Sequence, residues 1–376
     1  MRNSPQAAHS KRKNKARILN YIFQHGHASK VDLANDLKLS MPTTLQNVKE
    51  LTERGMVQEI GNYQSTGGRK AKALSLAANN CFAIGADITA NHLGLVGVNA
   101  MGQIVADLRL SKRYEDTFQY YQDVAETVED FIRQNSKKIE SRDRIIGIGV
   151  SIPGIIDKTN NILIKSHALQ VSNISLQKMS QFLPYHVTFD NDANCAAYTE
   201  LSDGNSNVIY LSLNNTVGGA ISYSGKLYEG DNFKSGEFGH IIIVPGGKRC
   251  YCGKLGCLDC YCSALALSSN TDGNLEKYFE LLGQGDPHIR KTWDEYLKYL
   301  ALAVSNLRMA FDCDIIIGGY VGGYLKNYRM ELNRLVMQMN NFDFDTSYLR
   351  CSKYHMEASA CGIAIRLIRD YYDAIE

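Results

Sequence analysis

The sequence of 376 residues lacks any apolar segment long enough to span a lipid bilayer. Its N-terminus is polar and basic without an apolar core, so the features of a secretory signal peptide are also missing. Ten cysteines are present, and three of them are spaced like metal ligands, which is typical of a reducing compartment rather than of a secreted disulfide framework. We therefore expect a cytoplasmic protein with no membrane partner.

The net charge is only +2, but it is unevenly distributed along the chain. Residues 1–80 contain 13 Lys and Arg against 5 Asp and Glu, whereas the remainder contains 28 against 34. A basic N-terminal segment on a mildly acidic body favours contact with a polyanion. The alternative, above all for residues 1–12, is a solvated tail.

One imidazole and three thiols lie within eighteen residues, in a stretch rich in glycine. They are His240, Cys250, Cys252 and Cys257. Thiolates and imidazole suit tetrahedral zinc, and four protein ligands leave no open coordination position, so the pattern predicts a structural zinc ion. Unrelated buried cysteines or a disulfide are the alternatives.

Residues 15–60 predict three short helices. Ser29, followed three positions later by Asp32, is typical of a helix start, and Ser40 with Pro42 predicts the start of the third helix. Two capped helices joined by a short turn indicate a helix-turn-helix. A small helical bundle used for protein contacts is the alternative.

The start of the third helix is predicted to present polar side chains suited to base edges and phosphates. The residues assigned to this outward face are Ser40, Thr43, Thr44, Gln46, Asn47 and Lys49, while Leu45, Val48 and Leu51 are assigned to the buried stripe.

After Gly55 the pattern becomes extended and predicts a β-hairpin, the wing of a winged helix. The predicted tip contains Gly67, Gly68, Arg69 and Lys70. Such a flexible arm can place a guanidinium in a narrow minor groove, so these residues are predicted to contact DNA.

The rest of the chain predicts a duplicated α/β body. Apolar strands near residues 82–88 and 93–98 are matched by a second pair near 208–213 and 218–223. Between them, Asp192 follows a strand and precedes a helix, where a carboxylate can accept a proton or a hydrogen bond from a substrate hydroxyl. A cluster that only caps the next helix is the alternative.

Together these motifs resemble the ROK family of repressors, open reading frames and kinases, over nearly the whole chain, and within it the transcription-factor branch of the N-acetylglucosamine and xylose repressors. The resemblance implies an α/β protein with an N-terminal winged helix-turn-helix, residues 1–78. A two-lobed, duplicated body of actin-like, RNase H-like fold follows in residues 79–376, with a cleft near residues 190–192 and a zinc loop at residues 240–257.

The resemblance also implies roles for individual residues. His240, Cys250, Cys252 and Cys257 would bind Zn²⁺, and Asp192 stands where the kinases have their catalytic base. Sugar contacts would come from Gly154, Asn191, Asp192, Glu237, His240 and Asp259, where Asp259 replaces the usual glutamate.

The chain departs from the kinases in both phosphate loops. Kinases carry Asp-x-Gly-Gly-Thr-Lys after the first strand, but residues 87–92 here read Asp-Ile-Thr-Ala-Asn-His. The kinase pattern Gly-Thr-Gly-x-Gly-Gly is replaced at residues 214–219 by Asn-Asn-Thr-Val-Gly-Gly. Side chains at these positions block close approach of the backbone to phosphates, so we expect no kinase activity.

The leading hypothesis is therefore a sugar-responsive repressor that binds operator DNA as a homodimer or higher homo-oligomer and responds to a sugar or sugar phosphate. The alternatives are an active sugar kinase with a DNA-binding head and a ROK-like body that acts only through protein partners.

Overall fold

The structure is a computed structural model that describes residues 5–62, 72–201, 207–340, 342–354 and 357–375. In those ranges no helix has both the length and the apolar character needed to cross a membrane.

The N-terminal segment forms three helices and a small antiparallel sheet of order β1-β3-β2. The elements are α1 (Pro5–His25), β1 (Ala28–Ser29), α2 (Lys30–Asp36), α3 (Met41–Glu53), β2 (Val57–Asn62) and β3 (Lys72–Leu76). Ser29 and Asp32 form a reciprocal capping box on α2, and the Ser40 side chain caps α3. The predicted winged helix-turn-helix is confirmed. The predicted DNA arm at Gly67, Gly68, Arg69 and Lys70 lies outside the described residues.

The first lobe is built on a five-stranded sheet of order β11-β7-β4-β5-β6. Its elements are β4 (Phe82–Ile88), β5 (His92–Asn99), β6 (Ile104–Ser111), α4 (Phe118–Gln134), α5 (Ser136–Ile139), β7 (Ile145–Ile152), β8 (Ile155–Asp157), β9 (Ile162–Ser166), β10 (Val171–Ser175), α6 (Gln177–Ser180), β11 (Val187–Asn191) and α7 (Asp192–Tyr198). Strands β4, β7 and β11 are parallel, whereas β5 and β6 are antiparallel additions. Strands β8 to β10 form a separate small sheet.

The second lobe repeats this topology, with sheet order β14-β13-β12-β15-β16. Its elements are β12 (Val208–Leu213), β13 (Val217–Tyr223), β14 (Lys226–Leu227), α8 (Asp259–Cys262), α9 (Ala264–Ser268), α10 (Leu275–Gly283), α11 (Pro287–Phe311), β15 (Asp314–Gly318), α12 (Gly319–Met339), β16 (Leu349–Cys351) and α13 (Ala358–Asp373). Strands β12, β15 and β16 are parallel, as are β4, β7 and β11 in the first lobe. The predicted duplication of an α/β lobe is confirmed.

The last helix, α13, packs on the first lobe rather than on the second. It lies in one hydrophobic core that contains Ala83 and Val96 of the first sheet together with Ile18 and Leu51 of the winged helix. The Tyr372 hydroxyl on α13 donates to the Ala100 carbonyl at 2.5 Å. The DNA-binding head and the first lobe are therefore held together by shared apolar packing.

The contact between α13 and α7 depends on a glycine. A Cβ on Gly362 would lie 1.8 Å from the Cys195 carbonyl oxygen, so Gly362→Ala forces the two helices apart. We expect this substitution to lower the free energy of unfolding by about 3 kcal/mol, measured by urea denaturation. Gly283→Ala at the end of α10, where a Cβ meets nothing within 4 Å, is the control. Equal stabilities for the two variants would contradict the close packing.

Candidate functional site

A cavity of about 350 Å³, the first cavity, opens in the cleft between the lobes. Five of the six predicted sugar-contact residues line it, and they come from both lobes. These are Gly154, Asn191, Asp192, Glu237 and His240. The fold thus brings together residues that are up to 86 positions apart in the sequence.

Asn191 organises the floor of the first cavity. Its Oδ1 accepts hydrogen bonds from the backbone N–H groups of Ala193 and Asn194 and so caps α7, while its Nδ2 donates to the Gly154 carbonyl at 2.8 Å. Gly154 has φ +133, and a Cβ there would lie 2.5 Å from the Lys165 carbonyl oxygen. Asn191 therefore does cap the following helix, and the cap holds the neighbouring carboxylate of Asp192 at the cavity wall.

Two carboxylates face the first cavity. Burial raises the pKa of Asp192, and burial together with the charge of Asp192 raises the pKa of Glu237. Glu237 keeps 41% of its side chain accessible from the cavity. Partly desolvated carboxylates of this kind are strong hydrogen-bond acceptors for ligand hydroxyls.

Asp259 does not reach the first cavity, although it was expected to contact sugar. Its side chain is 6% exposed, and its Oδ1 accepts the Val217 backbone N–H at 2.6 Å. Burial raises the pKa of Asp259 to about 6, and a hydrogen bond with Tyr251 opposes this shift. Tyr251, which sequence reasoning missed, lines the cavity instead. Its position between Cys250 and Cys252 was the available signal.

The four predicted metal ligands converge. The ligand atoms of His240, Cys250, Cys252 and Cys257 all lie within 4.8 Å of one another. The separations are 3.7 Å from His240 Nδ1 to Cys250 Sγ and 3.6 Å from Cys252 Sγ to Cys257 Sγ. Zn–S bonds of about 2.3 Å in a tetrahedron place sulfur atoms roughly 3.8 Å apart, so the cluster fits such an ion. All ten cysteines are free, and none forms a disulfide.

Glycines let the chain wrap around this cluster. Gly253 and Gly256 have φ +93 and +82, and a Cβ on Gly256 would lie 1.7 Å from the Val244 carbonyl oxygen. His240 contributes to both sites, because its Nδ1 faces Cys250 while its Nε2 lies 3.9 Å from Glu237 Oε2. The cluster therefore fixes one wall of the first cavity.

A second cavity of about 540 Å³ is also lined by Asp192 and lies at the two loops whose sequences depart from the kinase patterns, residues 87–92 and 214–219. In this chain, side-chain oxygens accept hydrogen bonds from two backbone N–H groups beside the cavity. Thr89 Oγ1 accepts the His92 N–H at 3.0 Å, and Asn214 Oδ1 accepts the Tyr320 N–H at 2.9 Å in the first turn of α12. These two N–H groups are thus already paired and are not free to bind an anion.

Asp87 is buried beside the second cavity, and burial raises its pKa to about 7. Because the unfolded carboxyl ionises near 3.8, this residue favours unfolding increasingly as the pH rises from about 4 to 7. Asp87→Asn keeps an acceptor for Ser151 Oγ, which lies 2.7 Å away. We expect Asp87→Asn to raise the free energy of unfolding by about 2 kcal/mol more at pH 8 than at pH 5.5, as measured by urea titration. A gain independent of pH would contradict the raised pKa.

The predicted DNA face of α3 needs a correction. Thr44 and Asn47 are 0% and 2% exposed, so their assignment to the outward face is wrong. The Thr44 hydroxyl donates to the Ser40 carbonyl and Asn47 Nδ2 donates to the Thr43 carbonyl, so these two donors are paired within the helix, while Asn47 Oδ1 has no partner among the described residues. Leu45, assigned to the buried stripe, is instead 46% exposed.

The outward face of α3 still carries most of the polar residues assigned to it. Ser40, Gln46 and Lys49 are exposed, and Thr43 is half-buried. Met41, 39% exposed, joins Leu45 on this surface. The face therefore combines hydrogen-bonding, basic and apolar groups.

Comparison with known proteins supports a division of the chain into a DNA-binding segment and a ROK body. A model described as ROK family matches residues 83–370, and one described as winged helix-turn-helix DNA-binding matches residues 11–58. The xylose repressor of Bacillus subtilis is 26% identical, with 97% of each chain covered.

Solved structures agree on the fold. A ROK family transcriptional regulator, described as a homologue of the E. coli MLC protein, superposes with a TM-score of 0.76 at 21% identity, covering 97% of both chains. A ROK family glucokinase from Streptomyces griseus, solved with glucose and AMPPNP, has a TM-score of 0.63 at 22% identity and covers 75% of this chain and 98% of its own. Because the ROK model matches most of the chain, this protein belongs to the ROK family and carries a winged helix-turn-helix at its N-terminus.

Proposed function

We propose that this protein is a cytoplasmic, sugar-responsive transcriptional repressor. Residues 1–78 bind operator DNA, and residues 79–376 bind the sugar in the first cavity. The observation that carries the proposal is the single hydrophobic core that joins the winged helix to the lobe whose strands end at this cavity. The names of two relatives, xylose repressor and N-acetylglucosamine repressor, agree with this function.

Ser40, Thr43, Gln46 and Lys49 read the major groove, with Leu45 available for contact with a thymine methyl group. Gly67, Gly68, Arg69 and Lys70, which lie outside the described residues, are proposed to contact the minor groove. Winged helices of this kind bind two half-sites with two-fold symmetry, so the functional unit is a homodimer or a higher homo-oligomer.

Sugar hydroxyls bind to Asp192, Glu237 and His240, while Gly154 and Asn191 shape the cavity floor. Asp192 is proposed to act as an acceptor without chemistry, and the pairing of the His92 and Tyr320 N–H groups beside the second cavity supports this role. The alternative of an active sugar kinase is therefore disfavoured. His240, Cys250, Cys252 and Cys257 would hold a structural zinc ion, which would keep the Cys-rich loop, residues 240–257, in place against the sugar.

Helix α13 couples the two sites. At its N-terminal end Ser359 Oγ donates to the Asp192 carbonyl at 3.0 Å, and farther along Arg366 pairs with Asp190 at 2.6 Å. At its C-terminal end Asp373 accepts a hydrogen bond from Asn20 of α1 at 2.8 Å. A ligand that favours one position of α13 thus biases the position of the DNA-binding head, by a coupling of typically 1–3 kcal/mol.

The test is calorimetric titration of metal-loaded protein with hexoses, pentoses and amino sugars, with and without MgATP. We expect one sugar class to bind with the same affinity in either condition, and MgATP alone to give no heat of binding. Binding of both ligands, with ADP release that disappears in Asp192→Asn, would instead support the kinase.

Gln46→Ala tests the assigned DNA face. Loss of a base contact costs about 1–3 kcal/mol, so we expect operator affinity to fall roughly 10- to 100-fold with little change on non-specific DNA. Gln134→Ala, an exposed glutamine at the end of α4 in the body, is the control. Fluorescence anisotropy with labelled operator measures both, and equal affinities for the two variants would remove Gln46 from the interface.

A further inference from the structure

We infer that the effector is an oligosaccharide of at least two sugar units, with one ring in the first cavity and the next, uncharged ring in the second cavity. This inference rests on the proposed function, because it deepens the identity of the ligand in the same cleft.

The two cavities adjoin each other. They share Pro153, Ala168, Asp192 and Thr216 as wall residues, so they meet beside the Asp192 carboxylate. The first measures about 350 Å³ and the second about 540 Å³. A monosaccharide in the first would leave the larger cavity filled with water, whereas binding sites for small molecules usually enclose most of their ligand.

The charges of the second cavity exclude a phosphorylated occupant. Asp87 and Asp192 bring carboxylates to its wall. The one guanidinium in the lining, that of Arg109, is paired with Glu357 at 2.6 Å and also donates to the Tyr320 hydroxyl at 3.0 Å. The pKa of His92 is lowered by burial and by Arg109, which favours its neutral form. Among the described residues, the lining therefore offers a phosphate no unpaired cation.

The same cavity is well suited to hydroxyl groups. In the described part of the chain, the side chains of Asn91, Asn215 and Thr216 have no hydrogen-bond partner, and all three line the cavity. Amide and hydroxyl groups both donate and accept, as sugar hydroxyls do. Unpaired groups of this kind favour a ligand that is polar, neutral and rich in hydroxyls.

Another part of the lining is aromatic and aliphatic. Tyr324 and Leu275 line the cavity, and the Tyr324 ring is stacked on Phe279 with centroids 3.9 Å apart and an interplanar angle of 8°. A ring held in this way provides a fixed flat surface against which the C–H face of a sugar ring can pack. Free amide groups together with a flat aromatic surface suit a second pyranose or furanose ring.

The experiment is titration calorimetry of the full-length protein with matched sets of ligands: glucose, maltose and cellobiose; xylose and xylobiose; N-acetylglucosamine and chitobiose; glucose 6-phosphate; and MgATP. We expect at least one disaccharide to bind at least tenfold more tightly than its own monosaccharide. Asn215→Ala and Tyr324→Ala should each reduce the affinity for that disaccharide about tenfold and leave the affinity for the monosaccharide unchanged. Asn232→Ala, an exposed asparagine outside both linings, is the matched control.

The inference is overturned if a monosaccharide, free or phosphorylated, binds at least as tightly as every disaccharide, or if MgATP binds and competes with the disaccharide. Those results leave the sugar-responsive repressor intact. Absence of binding by every sugar would instead contradict the proposed function itself.

Discussion

Cys257→Ser is expected to release the metal ion and to disable the cavity for sugar. The Cys257 side chain is fully buried, and its Sγ lies 3.6 Å from Cys252 Sγ, inside the four-residue cluster. Serine is a poor zinc ligand, and structural zinc binding in small domains is worth about 10–16 kcal/mol, so the loss is large. The zinc content measured by metal analysis should fall from one ion per chain to near zero. Sugar affinity should fall more than tenfold, because His240 and Tyr251 of the Cys-rich loop line the cavity.

Cys260→Ser is the matched control for this experiment. Cys260 lies three residues beyond Cys257, is half-buried, and is outside the group of converging ligand atoms. We expect the Cys260 variant to retain its zinc and its response to sugar. If it loses the metal while Cys257→Ser keeps it, the ligand assignment is wrong. If metal-free protein binds sugar with unchanged affinity, the ion does not support the cavity.

Glu237→Gln should weaken sugar binding by a factor of about 10 to 100 and leave DNA binding intact. The substitution keeps the shape of the side chain but removes the negative charge, and hydrogen bonds to charged groups contribute about 1.5–3 kcal/mol. Glu237 lies in the second lobe, on the wall of the first cavity, and not in the core that joins α13 to the winged helix. Calorimetry gives the sugar affinity, and anisotropy with operator DNA gives the DNA affinity.

Asp231→Asn provides the comparison. Asp231 is an exposed carboxylate six positions before Glu237 and is not part of the cavity lining. We expect its sugar affinity to match that of the unaltered protein. A Glu237→Gln variant that fails to fold, as judged by urea denaturation, would show that Glu237 is structural and would argue against its place in sugar recognition.

The features that sequence reasoning predicted well are local. The spacing of Cys250, Cys252 and Cys257 fixes their proximity within one loop, and capping residues such as Ser29 and Ser40 mark helix starts directly. The duplication was also visible, because fully buried strands appear as continuous apolar runs. These signals need no knowledge of tertiary contacts.

It was harder to predict which face of α3 is buried. Val48 and Leu51 identify a buried stripe, but they are compatible with either Thr44 or Leu45 as the next member toward the N-terminus. The structure buries Thr44, whose hydroxyl bonds to the preceding turn and so loses no hydrogen bond on burial. Hydrophobicity alone assigned Leu45 to the buried stripe, and this assignment was wrong.

Contacts over long sequence separations account for the other differences. The hydrogen bond between Asp259 and the Val217 N–H joins residues 42 positions apart, and it turns a predicted sugar ligand into a support for β13. The ion pair of Arg109 with Glu357 joins residues 248 positions apart and pairs the guanidinium that lines the second cavity. Neither pairing leaves a local pattern, so each becomes visible only in the fold.

The measurement that tests the account most directly is operator affinity as a function of sugar concentration, by fluorescence anisotropy, using the sugar that binds most tightly in calorimetry. The account predicts that saturating sugar weakens operator binding by about 5- to 150-fold in the unaltered protein. In Glu237→Gln the same sugar concentration should have little effect. Operator affinity that is unchanged at saturating sugar, while calorimetry shows the sugar to be bound, would contradict coupling between the cleft and the winged helix.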